Sequence, residues 1–115
     1  MTDDARESPE QPPDLEECRA IVRRFEGSGK PLRSHDAAMR GLDRYPDDLW
    51  LKHRAVLALA RSGATEMGRR RYREFGLDGH ADEDVAALGA RLDKDLAWLA
   101  DGEECRRGDE LRSRL

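Results

Sequence analysis

A chain of 115 residues, 37% hydrophobic and 40% charged, has room for one domain with a narrow core and not for two. Its formal charge of -4, from 25 acidic and 21 basic residues spread along its length, excludes the broad basic field that gathers nucleic acid. No apolar run approaches the roughly 20 residues of a membrane span, and Met1 to Pro13 lacks the basic start and apolar middle of a secretion signal, so a cytoplasmic domain without membrane contact is expected. The bases are nearly all arginine and asparagine is absent, a bias that fits the GC-rich coding of many bacteria.

Residues 1–13 carry acids and prolines and cannot bury enough apolar surface to offset their ordering entropy, so they read as a disordered leader. A helical repeat domain is expected over residues 14–100. Asp14 can cap a first helix through about Glu26, with Leu15, Cys18, Val22 and Phe25 at helical spacing and Gly27 and Gly29 ending it. After a loop containing Lys30-Pro31, Ser34 reads as the N-cap of a second helix bearing Ala38, Leu42 and Tyr45, which Pro46 stops. Asp47 or Asp48 caps a third, Leu49 to Arg61, whose run from Ala55 to Ala60 marks it as the central, most buried helix. A fourth follows Ser62-Gly63, with Ala64, Gly68, Tyr72 and Phe75 on one stripe. Gly76, Gly79 and His80 form the next break. Asp82 or a neighbour then caps a fifth helix with Val85, Leu88, Leu92, Leu96 and Leu99 in register. Residues 101–115 hold Cys105 and Leu111 amid charges and read as a frayed or partial sixth helix.

Sliding the chain against itself by about 34 residues, the period of a helix-turn-helix repeat, pairs Leu15 with Leu49, Val22 with Val56, Phe25 with Leu59 and Ser28-Gly29 with Ser62-Gly63. A shift of about 30 residues aligns Ala38, Leu42 and Tyr45 with Gly68, Tyr72 and Phe75, so the first unit has the longer inner loop. One such unit cannot bury its apolar face alone, and stacked neighbours must share a core. The implied fold is all-α, a tetratricopeptide-like stack of antiparallel helical hairpins forming a short α-solenoid of about five to six helices.

Chemistry-bearing patterns are sparse. His35, His53 and His80 fall on different elements, and Cys18 and Cys105 lie far apart, so neither a metal site nor a disulfide is expected and Cys18 reads as a small buried hydrophobe. The carboxylate pairs sit mostly at helix starts, where they act as caps. With no nucleophile motif and no phosphate-binding loop, no catalytic residue and no cofactor is expected. Arg69, Arg70, Arg71 and Arg73 surround Tyr72, a pattern that can hold phosphate or a single-stranded base. Glu66 precedes Arg70 by one helical turn and Tyr72 lies on the apolar stripe, which favours an ion-paired face instead. Arg91, Lys94 and Asp95 share a helix face and can grip a charged small molecule, or Arg91 and Asp95 can form a plain surface pair. Trp50 and Trp98 lie just off the apolar stripes, as core edges or as aromatic platforms for a partner in a groove.

Several stretches resemble a known family: Gly29-Lys30-Pro31-Leu32 with Asp36 and Gly41-Leu42, Tyr45-Pro46-Asp47-Asp48, the run Leu57 to Ala64, Gly79-His80 with Asp82-Glu83, and Ala90-Arg91-Leu92-Asp93-Lys94-Asp95. Together they look like the bacterial tetratricopeptide-repeat sensor family, related to the TRAF-binding region of the apoptosis-signalling MAP kinase kinase kinases. The resemblance covers Leu15 to Leu99. Arg91, Lys94 and Asp95 match that family's Gly-Arg-x-Tyr-Lys-Asp signature, while Ala90 and Asp93 stand where it has glycine and tyrosine, and Lys30 where it usually has an acid. The resemblance implies a non-catalytic solenoid beside an effector domain in bacterial signalling or conflict systems, sensing a small ligand such as a nucleotide derivative through Arg91, Lys94 and Asp95. Because that family continues with further helices, the repeat edge after Leu99 is expected to meet a protein partner or a second copy in a homodimer. The alternative expectation is an interaction scaffold whose groove takes a peptide or partner helix through Trp50 and Trp98.

Overall fold

The computed structural model describes residues 13–114, which form five helices and no strand: α1 Leu15–Gly27, α2 Pro31–Arg44, α3 Leu49–Arg61, α4 Thr65–Glu74 and α5 Glu83–Arg114. The leader expected over residues 1–13 lies, Pro13 apart, outside the described residues. None of the described helices is long and apolar enough to cross a membrane.

Short acids start three of the helices. Asp14 accepts from the Glu17 N–H at 2.8 Å, Asp48 from the Leu51 N–H at 2.9 Å, and Asp82 from the N–H groups of Asp84 and Val85 at 2.9 and 3.1 Å. Each carboxylate satisfies a donor that has no helical acceptor and sits at the positive end of a helix dipole. The stops repeat as well. Gly29 and Gly63, with φ of 67° and 87°, carry the chain into the left-handed region that other residues enter only at a cost. After α1, Gly29 donates to the Glu26 carbonyl at 3.1 Å and Lys30 to that of Phe25 at 3.0 Å. After α3, Gly63 donates to Ala60 at 3.2 Å and Ala64 to Leu59 at 3.0 Å. The self-match of the sequence is therefore a shared helix stop as well as a shared apolar face.

The short turns return each helix against the one before it as antiparallel hairpins. Contacts also join α1 to α3 and α3 to α5, while α2 and α4 do not meet. The odd helices thus form the tighter, inner layer and α2 and α4 the outer one. Helix α3 lies at the centre. Its Leu51 and Ala55 join Val22, Ala38 and Leu42 in one apolar cluster, and its Val56 and Ala60 join Tyr72, Leu77, Val85, Leu88 and Leu92 in a second. Burial of a Leu- or Val-sized side chain is worth about 1.5–3 kcal/mol, so Leu51, Leu77 and Leu92, all fully buried, are principal anchors. Cys18 is buried as its spacing implies, and burial, with Asp14 and Glu17 nearby, pushes its thiol pKa up.

Two boundaries differ from the sequence expectation. Helix α2 begins at Pro31, so Ser34 is not its N-cap but a buried residue of its first turn, with its N–H bonded to the Lys30 carbonyl at 3.0 Å. Proline at the first helical position presets φ and forfeits only a donor that the helix leaves unused. The longer inner loop of the first unit is thus an added helical turn. Helix α5 runs unbroken to Arg114, so residues 101–114 prolong it instead of opening a sixth helix. Asp101 to Glu104 contain no proline and no positive-φ glycine to interrupt the ladder.

Candidate ligand face

The inner layer is built on α3, where Trp50, His53, Arg54 and Leu57 follow helical spacing along one side. Trp50 and Arg54 face α1. The guanidinium carbons of Arg54, Arg23 and Arg19 lie 4.9, 5.0 and 5.9 Å from the Trp50 ring centre. Arg19 bonds Asp48 at 2.6 Å, and Arg54 reaches Glu26 at 3.4 Å. The half-buried indole is therefore the floor of a cation-lined seam between α1 and α3.

His53 and Leu57 face α5 and line a shallow cleft of 240 Å³ with Asp84, Ala87, Leu88 and Arg91. Burial, reinforced by the neighbouring charge of Arg54, lowers the His53 pKa, while Asp84 and Asp82 act in the opposite direction. The imidazole is thus a neutral group that can donate from one nitrogen and accept at the other. Arg91 pairs loosely with Asp95 along α5, at 3.7 Å with both side chains close to half exposed. That arrangement leaves most of the guanidinium's donors open to a ligand.

The three signature residues are not all brought together. Successive residues advance about 100° around a helix, so Arg91 and Asp95 lie on the α3 flank and exposed Lys94 falls away from the buried Leu88 and Leu92. Asp93, at the position where the resembled family has tyrosine, turns to the other flank and bonds Arg69 of α4 at 3.1 Å. His53 was not marked by sequence as a site residue. Its signal was the shared spacing with Trp50 and Leu57, which becomes informative only once α5 is seen to cover that side of α3.

The two tryptophans separate. Trp98 is no core edge: it is 72% exposed on a stretch of α5 where Ala97 to Asp101 are all exposed. Nothing in the described fold packs against that stretch because α4, with only 10 residues, is too short to follow α5. Two of the four arginines of α4 are engaged with acids. Arg69 bonds Asp78 at 2.9 Å as well as Asp93 and stacks on Tyr72, and Arg71 pairs with Glu74 at 2.9 Å. These pairs replace the expected partnership of Glu66 and Arg70, both of which are exposed. A larger groove of 510 Å³, mostly apolar, lies between α1 and α2 and is lined by Cys18, Ile21, Phe25 and Ala37 with Arg33 and Arg40 at its rim. Among the described residues no cluster of three metal-ligating side chains occurs. Comparisons of the chain with family models, with curated proteins and with solved structures find no match.

Proposed function

We propose that this chain is a non-enzymatic helical-repeat module, tetratricopeptide-like in arrangement, that binds a small anionic ligand on its inner layer. The observation that carries this reading is the convergence of Arg91 from α5 and His53 from α3 on one cleft. A planar guanidinium beside a neutral imidazole suits a small ligand that carries a phosphate group. Arg91 is the principal contact, Asp95 orients it, and Lys94 adds charge to the approach. A place beside an effector domain in a bacterial signalling or conflict system is proposed from the family resemblance of the turns and of Ala90 to Asp95.

A thermal-shift screen against nucleotides, cyclic nucleotides and ADP-ribose-like compounds tests the proposal, because a ligand selective for the native state raises the melting temperature by mass action. A rise that disappears in Arg91→Ala is the expected result. Silence of the whole panel with a well-folded protein rejects it.

One observation favours a second reading as an interaction scaffold: Trp98 and Leu99, 72% and 39% exposed, stand on the unpartnered part of α5. A partner helix or a second copy that covers them would bury an aromatic anchor of the kind that dominates interfaces. Under that reading Trp98→Ala abolishes association while Arg91→Ala leaves it intact.

A further inference from the structure

The added turn of α2 creates an opening at the end of the stack. Pro31 has no N–H, the Lys30 N–H donates to the Phe25 carbonyl, and the Ser34 N–H donates to the Lys30 carbonyl. The N–H groups of Leu32 and Arg33 are what remains of the donors that a helix start leaves without helical acceptors. No side chain caps them, since Lys30 occupies the N-cap without a side-chain hydrogen bond and the first turn carries no acid.

An independent observation points to a ligand there. Ser34 is 1% exposed, and its hydroxyl has no hydrogen-bond partner. Helical side chains lean toward the N-terminus, so this hydroxyl leans toward the open turn. Ser34 lines a cleft of 290 Å³ together with Glu26, Lys30, Ala58 and Arg61. Lys30, Pro31 and Arg61 also border the adjoining depression, which Leu32 and Arg33 line and where Arg33 adds a third cation. Glu26, the acid in the cleft, is balanced by Arg54 at 3.4 Å and Arg61 at 3.8 Å.

We propose that this cleft and the adjoining depression together form an anion site, separate from the inner-layer cleft, that takes one phosphate group of a small molecule. The Leu32 and Arg33 N–H groups and the Ser34 hydroxyl donate to the phosphate oxygens, and Lys30 and Arg61 neutralise its charge. The site satisfies at once the open helix start and the orphaned hydroxyl, which an apolar occupant would leave unpaired.

Titration of the isotope-labelled chain with inorganic phosphate at constant ionic strength, followed by amide NMR, tests the site. Saturating shifts are expected at Leu32, Arg33 and Ser34. Ser34→Ala should weaken phosphate about tenfold, the effect of losing one charge-assisted hydrogen bond. Lys30→Asp should abolish the shifts and raise the melting temperature, because it offers the same donors an internal carboxylate. Loss of binding in a stabilised variant cannot arise from unfolding. Adenosine monophosphate should reproduce the shifts, and Arg91→Ala should leave them unchanged. The site is overturned if these amides show no saturating shift or if Ser34→Ala binds phosphate as well as the parent chain. Retention on phosphatidic acid vesicles without a response to the free monoester would overturn the assignment to a small molecule.

Discussion

The Tyr72 phenol lies over the bare Cα of Gly89: a Cβ added there would stand 2.5 Å from the hydroxyl oxygen and 2.8 Å from Cζ. The ring cannot swing aside, because it is 4% exposed and its hydroxyl donates to the Val85 carbonyl at 2.9 Å. The α4–α5 contact therefore depends on a missing methyl group. Gly89→Ala gains about 1 kcal/mol of helix propensity against roughly 1–3 kcal/mol of overpacking, for a net loss of up to about 2 kcal/mol by urea unfolding. Tyr72→Phe should cost about 1 kcal/mol. In that background Gly89→Ala should cost less than in the parent, because the nearest atom is gone. Strictly additive effects would reject this account of the contact.

Arg91→Ala should leave stability within about 0.5 kcal/mol of the parent, because its pair with Asp95 is loose and exposed. The ligand-induced rise in melting temperature should nevertheless vanish. A large loss of intrinsic stability would instead assign Arg91 to the scaffold.

His53 gives the pH dependence its sign. Its pKa is lowered from the ordinary 6.5, chiefly by burial, so below that value the unfolded chain binds more protons than the native one. Stability therefore rises with pH through this window and is lost as pH falls from 6.5 toward the lowered folded value. His53→Gln should flatten the slope of the urea midpoint as pH falls below the ordinary 6.5. An anion held against His53 raises its pKa, so ligand affinity should increase on acidification. An unchanged slope in the variant would count against His53 as the titrating group.

Trp50→Ala and Trp98→Ala should part company. Trp50 floors the seam between α1 and α3 beneath three guanidiniums, and its truncation should cost roughly 2 kcal/mol through lost packing and cation–π contact. Trp98 is 72% exposed, so its truncation should change monomer stability by less than about 0.5 kcal/mol. Chemical denaturation of both variants distinguishes them, and equal losses would mean that the end of α5 is packed in solution.

The helices were legible where local chemistry decided them. Asp14 was readable as a cap, the caps of α3 and α5 to within a residue or so of Asp48 and Asp82, and Gly29 and Gly63 as stops, because these roles need only a few consecutive residues. Helix α3 was recognisable as central from its apolar run. Ser34 misled because a serine three positions after Pro31 has the composition of a cap, and only the start of α2 at Pro31 shows it inside the helix. Leu77 belongs to a turn by sequence yet is 1% exposed, since the stop after α4 folds it back beneath α5. The site was half legible. Spacing placed Arg91 beside Asp95, but the partnership with His53 spans two repeats, and the diversion of Asp93 to Arg69 depends on how α4 meets α5.

The unbroken length of α5 has a mechanical consequence. Its first turns are clamped by Val85, Leu88 and Leu92 and by the bond of Asp93 to Arg69, while the helix runs on from Ala97 to Arg114 for roughly 30 Å. A rod held at one end magnifies rotation at its root, and a tilt of about 5° there sweeps the tip through roughly 3 Å over that length. The cleft between His53 and Arg91 sits at that root. A change in the gap between His53 and Arg91 would therefore be magnified along the exposed length of α5, like the pointer of a gauge.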